Sequence, residues 1–170
     1  MSFADALAQV LAREGGWYPG DQPSDSNPTM KGIIQRTYDA YRERKHLLRQ
    51  SVRAITDAEI EEIYRTEYWN KVRGDELPLR TAIAVFDMAV NSGPGPAIET
   101  LQYAVGATPD GVLGPVTLAK VKAADDRRLS EDFLWERVDF YGQLCRKKPI
   151  KLSQLPGWLR RLELLRRAIQ

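Results

Sequence analysis

The 170-residue sequence predicts an all-α protein of seven or eight helices, with a small loop or hairpin region after the first helix. Apolar residues recur at helical spacing along most of the chain, and no run outside that region alternates like a half-buried strand. Clusters of proline and glycine separate the helical runs, as expected of connections between helices. With 43% apolar and 28% charged residues, the composition is that of a globular protein with a sizeable core.

The first predicted helix begins at a cap formed by Ser2 and Asp5 and ends at Gly15, where a left-handed residue is favoured. Its apolar positions are Phe3, Leu7, Val10 and Leu11. Glu14 is therefore expected in the last helical position, on a rigid element but at its open end.

A loop is predicted between the first two helices. The segment from Trp17 to Lys31 contains three prolines and has no apolar period, and only Pro19–Met30 within it has the composition of a hairpin. The second helix is predicted to start at Ile33, with its charged residues on the outer face.

The remaining helices are marked by caps and by apolar runs. Thr56 and Glu59 form a capping box that opens the third helix. The run from Leu79 to Val90 is apolar on more than one face, which predicts a central, buried helix. Four further helices are predicted, at Pro96–Val105, Pro115–Ala124, Ser130–Leu144 and Pro156–Ile169.

The cysteine and histidine content excludes several kinds of site. A single cysteine, Cys145, rules out an internal disulfide, and its apolar-periodic surroundings favour a reduced, partly buried structural residue. A single histidine, His46, rules out a His-rich zinc site, and its charged neighbours favour a solvated surface position. We expect neither a metal nor an organic cofactor.

No apolar run approaches the roughly 18 residues that a membrane span needs. The N-terminus has no basic segment leading into an apolar one. We therefore expect a protein made in the cytoplasm without a Sec-type signal.

Positive charge is concentrated at the C-terminal end. Residues 146–170 contain eight Lys or Arg and one acid, giving +7 and leaving −5 for the remainder of a chain with net charge +2. This asymmetry favours an anionic partner, either nucleic acid or the cell envelope. The chain has no zinc, helix-turn-helix or RNA-binding pattern, so we expect no nucleic-acid partner. The alternative is that the basic residues form the solvated face of a C-terminal helix.

Glu14 is the strongest candidate for chemistry. A glycosidase that protonates a leaving oxygen needs a carboxylic acid in a partly apolar site, and the negative end of a helix disfavours a carboxylate. Gly15-Gly16 allows a ligand or the backbone to approach closely, and Trp17 and Tyr18 offer flat apolar faces for sugars. The alternative, a surface glutamate before an ordinary glycine cap, stays open.

The loop after Glu14 carries candidates for a second catalytic group. An inverting glycosidase needs a group that holds a water molecule on the opposite face of the sugar. Asp25 and Thr29 suit this role if the loop folds back over Glu14, whereas local turn hydrogen bonds are the alternative. A calcium loop is excluded because Gly32 occupies the position of the bidentate glutamate that such a loop needs.

Two further groups are candidates for ligand contacts. Tyr68 and Trp69 fall at a predicted helix end, where they either line a cleft or belong to the core. Asp87 lies within the most apolar helix and needs a partner there, by default a structural salt bridge. Asn91, near the end of that helix, either caps it or binds an N-acetyl or hydroxyl group.

Four blocks, taken in order, resemble the N-acetylmuramidases of glycoside hydrolase family 108, a lysozyme-like family of phage endolysins and bacterial secretion activators. The resemblance covers roughly residues 3–145, and its last block resembles the peptidoglycan-binding-like C-terminal half of the family. The blocks are Glu14-Gly15-Gly16-Trp17, Thr29-Met30-Lys31-Gly32-Ile33, Tyr64 to Trp69 with Leu77-Pro78, and Phe86-Asp87 to Gly93 with Leu101-Gln102 and Asp110 to Leu118.

The resemblance implies a lysozyme-like fold with a muramidase part at 1–92 and a peptidoglycan-binding-like part at 93–170. We expect the two parts to pack as one compact unit and the protein to be a monomer. The resemblance also implies hydrolysis of the β-1,4 bond between N-acetylmuramic acid and N-acetylglucosamine, with Glu14 as the general acid and without a cofactor. We expect substrate contacts at Trp17, Tyr18, Asp21, Tyr68, Trp69 and Asn91.

The loop departs from the pattern of the family. Where the family has an Asp-Pro-Gly-Gly-x-Thr run, this chain has Asp25-Ser26-Asn27-Pro28-Thr29, so the second acid stays open between Asp25 and Asp21. The spacing of fifteen residues from Glu14 to Thr29 resembles that of the T4-type lysozymes of phages. This second resemblance implies that Thr29 positions water and that the reaction inverts the anomeric centre.

The biological role that follows is that of a phage endolysin or related wall enzyme, released by a holin or another route. Its basic end would hold it near anionic envelope polymers. The alternative is a non-catalytic peptidoglycan-binding protein, because the turn from Asp110 to Thr117 also resembles wall-binding modules. The intact Glu-Gly-Gly triplet at Glu14 argues against that alternative.

Overall fold

The protein is mainly helical, as predicted, and has a lysozyme-like fold. The structure is a computed structural model that describes residues 3–20 and 27–170. Within these ranges it has eight α-helices, in the number and order that the sequence predicts. They are α1 (Phe3–Leu11), α2 (Gln35–Arg44), α3 (Asp57–Ile63), α4 (Leu79–Ser92), α5 (Pro94–Ala104), α6 (Pro115–Ala123), α7 (Asp126–Lys147) and α8 (Leu155–Ala168).

Short irregular helices connect some of these elements. Val52–Ala54, Gly74–Glu76 and Pro149–Gln154 are 3₁₀ segments, and Tyr64–Trp69 is a π-helical turn that continues α3. No helix in the described residues is long and apolar enough to cross a membrane. Cys145 is free and buried and His46 is exposed, which confirms both expectations.

The predicted hairpin region is a small antiparallel sheet in the order β1 (Trp17–Tyr18), β2 (Thr29–Met30), β3 (Ile33–Ile34). Lys31 and Gly32 join β2 to β3 with φ angles of 47° and 77°. Two consecutive positive φ angles are what a two-residue hairpin turn requires. The sequence prediction that Ile33 starts the second helix is therefore wrong, because this turn pairs Ile33 with Met30 and delays the helix to Gln35.

The end of the first helix also differs from the prediction. α1 ends at Leu11, and Glu14 lies in the turn that follows, where its N–H is shared between the carbonyl oxygens of Val10 and Leu11 at 3.2 and 3.3 Å. Arg13 donates to Val10 at 2.9 Å, a tighter bond of the kind that often closes a helix. The predicted cap at Ser2 lies outside the described residues.

Within the described residues the chain forms two compact units, one ending at Glu67 and the other beginning at Tyr68. In the first unit α2 and α3 are linked through Glu59. This carboxylate completes the predicted capping box with Thr56 and accepts hydrogen bonds from Tyr38 and Arg42 at 2.9 and 2.8 Å. The capping-box prediction is thus confirmed.

The second unit is built around α4. Every residue from Thr81 to Ala89 is buried, which confirms the prediction of a central helix. α4 packs against α5 and α7, so the packing division falls before α4. The functional division expected between residues 92 and 93 stays a prediction.

Three helices of the second unit begin earlier than predicted: α7 by four residues, α5 by two and α8 by one, at Leu155. α7 begins four residues before Ser130 because Asp125 supplies the N-terminal cap, accepting from the Arg128 N–H at 2.9 Å. The next residue, Asp126, accepts from the backbone N–H groups of Arg80 and Thr81, both at 3.0 Å, and so caps the start of α4. α5 begins at Pro94 rather than Pro96, since either proline fits a first turn.

Candidate active site

The carboxyl group of Glu14 lies directly against the turn between β2 and β3. A Cβ atom added to Gly32 would lie 2.7 Å from Glu14 Oε2 and 2.9 Å from Glu14 Cδ. Only glycine leaves room for this contact, and the φ of 77° at Gly32 independently favours glycine. Glu14 itself is half-buried, so its carboxyl group is held by protein on one side and keeps access to solvent.

The hydroxyl group of Tyr64 also lies against Gly32. Its oxygen would lie 2.8 Å from the Gly32 Cβ position, and it donates a hydrogen bond to the carbonyl oxygen of Lys31 at 2.7 Å. Tyr64 is fully buried, so this hydroxyl is fixed by packing. One glycine thus separates a carboxyl group from a buried phenol, and both are within 3 Å of a single position.

Sequence reasoning missed Tyr64 as a site residue. Its spacing from Ile60 and Ile63, which are both buried, is that of a core position, and its ring indeed lies in the core. The only signal was its place in the Tyr64–Trp69 block of the family resemblance. The function of the hydroxyl depends on a contact with the distant Lys31–Gly32 turn, which no local pattern encodes.

Trp17 and Tyr18 follow Glu14 and the two glycines as strand β1. Trp17 is 38% exposed, and the guanidinium carbon of Arg53 lies 5.7 Å from its ring centroid. Tyr18 is half-buried. An exposed indole held by a cation beside Glu14 fits the predicted sugar-stacking surface, whose role stays a prediction.

The prediction of a second catalytic group after Glu14 requires the chain to fold back toward Glu14. After the loop, the chain does so. Thr29 pairs with Tyr18 on one side and with Ile34 on the other, and Lys31 N–H donates to the carbonyl oxygen of Gly16 at 3.4 Å. Thr29 therefore lies opposite the strand that begins three residues after Glu14. Asp21 and Asp25 lie outside the described residues, so the choice between them stays open.

The other predicted contacts belong to the second unit. Trp69 is only 4% exposed, packs edge-on against Phe86 with ring centroids 5.3 Å apart, and donates its indole N–H to Asp75 at 2.9 Å. This environment favours the core alternative for Trp69 over a stacking platform. Tyr68 is half-buried, and its assignment as a sugar contact stays a prediction.

Asn91 is a member of a buried polar network. Its side-chain oxygen accepts a hydrogen bond from the Tyr141 hydroxyl at 2.8 Å and a long one from Arg137 at 3.5 Å. Arg137 also pairs with Asp87 at 2.7 Å, and Arg161 pairs with Asp87 at 2.9 Å. The salt bridge predicted for Asp87 is therefore present, and the side-chain oxygen of Asn91 belongs to the same network. The role of Asn91 as a substrate contact stays a prediction.

The charge of Asp87 is set by this network. Complete burial by itself disfavours the carboxylate, but the guanidinium groups of Arg137 and Arg161 outweigh that effect and hold the pKa of Asp87 below its ordinary value. Among residues 3–20 and 27–170, no group of three or more His, Cys, Asp or Glu side chains is placed to hold a metal ion.

Comparison with known proteins agrees with the resemblance. The profile of the family described as Glycosyl hydrolase 108 matches residues 7–93, and that of the Predicted Peptidoglycan domain matches residues 96–163. Among solved structures, SagA from Brucella abortus is 34% identical with a TM-score of 0.84, over 98% of this chain and 92% of that chain. The search of curated proteins gives no match.

Proposed function

The chain belongs to the glycosyl hydrolase 108 family, and from this premise we propose that it is a muramidase with Glu14 as its general acid. Membership makes it a glycoside hydrolase of peptidoglycan. The proposal adds the bond: the β-1,4 linkage between N-acetylmuramic acid and N-acetylglucosamine. The observation that carries it is the contact of the Glu14 carboxyl group with Gly32, beside the Tyr64 hydroxyl.

This contact supports a general acid because it fixes the carboxyl group without burying it. The Tyr64 hydroxyl donates to the Lys31 carbonyl oxygen, and this bond holds the turn at Gly32 in place beside the Glu14 carboxyl group. With one side of the carboxyl group held against Gly32, we infer that its O–H is directed from the solvent-accessible side to the glycosidic oxygen of a bound sugar. Proton transfer to that oxygen allows the bond to the anomeric carbon to break through an oxocarbenium-like transition state.

The proposed second half of the reaction uses water. In an inverting enzyme a water molecule attacks the anomeric carbon from the opposite face, with carboxyl groups roughly 6.5–9.5 Å apart. Thr29 is proposed to hold this water together with Asp25 or Asp21, which accepts its proton. The pairing of Thr29 with Tyr18 supports a position on the same sheet as the sugar-stacking candidates Trp17 and Tyr18.

The proposed role is lysis of a bacterial wall, as a phage endolysin or a related enzyme released by a holin or another route. The basic segment at residues 146–170 is proposed to hold the enzyme on anionic polymers of the envelope. Such an attraction is screened by salt, so retention on isolated envelopes should fall steeply between about 0.05 and 0.5 M salt. Retention that does not depend on salt would contradict this part of the proposal.

Product analysis tests the proposed bond specificity. Purified peptidoglycan is digested with the wild-type enzyme, the fragments are reduced with borohydride, and their ends are identified by mass spectrometry. A muramidase yields reduced muramic acid ends, and anomeric NMR of the first product distinguishes inversion from retention. Reduced glucosamine ends, or cleaved peptides with intact glycans, would contradict the proposal. Glycan that stays intact while the protein binds it would favour the non-catalytic alternative.

A further inference from the structure

A groove between α7 and α8 in the second unit exposes a large aromatic side chain. Trp135 on α7 is 73% exposed. It lines a groove of about 340 Å³ whose floor includes Leu134 of α7 and Leu162 of α8, both nearly buried. Tryptophan side chains are highly buried on average, so an indole this exposed beside an apolar floor is a candidate binding surface.

The rim of the groove is charged. It consists of Glu131 on α7 with Glu163 and Arg166 on α8. The contact of Glu131 with Arg127 is loose, at 3.8 Å between exposed side chains, and Glu163 pairs with Arg167 outside the groove lining. Within the described residues Arg166 forms no salt bridge. The rim therefore offers carboxylate acceptors and one available cation beside a flat apolar surface.

We propose that this groove is a second peptidoglycan-binding site, separate from the catalytic residues, that takes a short glycan segment with its acidic peptide. The proposal rests on the proposed function in that it takes peptidoglycan as the ligand. The C–H face of a sugar ring stacks on the indole of Trp135, and sugar hydroxyl and N-acetyl N–H groups donate to Glu131 and Glu163. Arg166 pairs with a carboxylate of the peptide stem or the lactyl group.

Size and charge favour this occupant over others. The volume lies at the lower end of the roughly 300–1,000 Å³ typical of small-molecule sites, which suits one or two sugars rather than a helix. Two carboxylates against one arginine disfavour the closely spaced phosphates of nucleic acid or of an anionic lipid surface, whereas sugar hydroxyl and N–H groups can donate to these carboxylates and a single ligand carboxylate can pair with Arg166. The residues matched by the Predicted Peptidoglycan domain, 96–163, include both faces of the groove except Arg166.

Binding is measured with the full chain carrying Glu14→Gln, so that the glycan is not consumed. Retention on purified sacculi is compared with that of the same chain carrying Trp135→Ala. We expect the dissociation constant to rise about tenfold or more, since stacking on one aromatic residue is lost. Ile150→Ala is the matched control, because Ile150 is also 73% exposed on the second unit but does not line the groove. It should leave retention unchanged.

A second arm separates the sugar from the peptide. Binding of an N-acetylglucosamine tetramer should be lost with Trp135→Ala and kept with Arg166→Ala, whereas binding of a disaccharide-peptide should weaken with both. Turnover of a short soluble glycan by Trp135→Ala in the otherwise wild-type chain should stay within about twofold. Failure of the proposed function would appear instead as absent turnover in the wild type, independently of retention.

Two results would overturn the proposal. One is retention and tetramer binding by Trp135→Ala equal to those of the parent chain. The other is a dimer in light scattering that Trp135→Ala dissociates while sacculus retention is kept, which would make the groove a contact between two copies of the chain.

Discussion

Gly32 is the residue on which the geometry of the proposed catalytic centre depends most. Its missing side chain is what allows the Glu14 carboxyl group and the Tyr64 hydroxyl to approach the same backbone position. The two side chains come from different elements, the turn after α1 and the π-helical segment after α3. At this scale the site is defined by one close approach rather than by a cluster of charges.

Replacing Gly32 with alanine should therefore damage both activity and stability. The added Cβ would lie 2.7 Å from Glu14 Oε2 on a backbone with a φ of 77°, so either the carboxyl group or the turn must move. We expect turnover to fall about 100-fold and stability to fall by about 1–3 kcal/mol, the usual cost of such strain. Sacculus lysis and thermal unfolding measure the two effects.

Gly15→Ala is the matched control for this prediction. A Cβ at Gly15 would have no atom within 4 Å other than those of its own chain neighbours. It should leave lysis within a few-fold of wild type. Equal losses in the two variants would mean that Gly32 is not special and that the contact with Glu14 does not matter.

Tyr64→Phe removes the phenol oxygen and leaves the buried ring in place. We expect turnover to fall about tenfold or more with little change in KM, because the hydroxyl orients the acid rather than binding substrate. The cost in stability should be about 1 kcal/mol, that of one hydrogen bond. Tyr41→Phe is the control, since the Tyr41 hydroxyl donates to Glu62 at 2.8 Å within the same unit. If both variants lose stability but neither loses turnover, the role of Tyr64 is structural only.

Among the helices, ion pairs link α4 to α7 and α8 and stabilise the second unit. Asp87 of α4 is fully buried and is paired with Arg137 of α7 and Arg161 of α8. Tyr141 of α7 donates to Asn91 and stacks on Trp158 of α8, with ring centroids 4.7 Å apart. The same few side chains therefore join three helices.

Asp87→Asn should destabilise the second unit strongly. The substitution keeps the volume but leaves two guanidinium groups, one of them fully buried, without their counter-charge. Breaking a buried pair in this way costs about 3–5 kcal/mol. Asp139→Asn is the control, because Asp139 is an exposed acid of α7 that accepts a hydrogen bond from Gln143 at 2.6 Å. Chemical denaturation of both variants makes the comparison.

The ion pairs of Asp87 also predict how the free energy of unfolding depends on pH. The pKa of Asp87 is lower in the folded than in the unfolded chain, so its contribution is complete above the unfolded value of about 3.9. That contribution is lost as pH falls below about 3.9 toward the folded pKa, because the unfolded chain then binds the proton first. Unfolding midpoints measured between pH 7 and 2.5 should fall more steeply for wild type than for Asp87→Asn. Parallel curves would contradict this account.

Across the whole molecule, the spacing of apolar residues was enough to predict which segments are helical, but not the residues at which the helices begin and end. The eight helices follow from apolar spacing, and the central position of α4 follows from its apolar surface. The strand at Ile33–Ile34 was missed because two-residue strands have no alternation to detect, and its existence depends on the turn at Lys31–Gly32. The start of α7 was misplaced because both Asp125 and Ser130 are suitable caps, and in the structure Asp125 caps the helix while the Ser130 hydroxyl donates to the Arg127 carbonyl oxygen.

Only the part of the candidate site that is contiguous in sequence could be predicted. Glu14, its glycines and the following aromatic pair are contiguous, so their chemistry could be inferred together. Tyr64 and Gly32 acquire their roles only through packing between segments that are distant in sequence. Burial likewise favours the core for Trp69, which its residue type alone left open between core and ligand contact.

The most direct test of the central claim is the rate at which Glu14→Gln releases reducing ends from purified peptidoglycan. Glutamine has the same shape over Gly32 but cannot donate a proton to the leaving oxygen, so folding should be kept and the rate should fall by about 10²–10⁴-fold. Circular dichroism and the unfolding temperature verify that the variant is folded. A folded Glu14→Gln enzyme with the wild-type rate would contradict the assignment of Glu14 as the general acid.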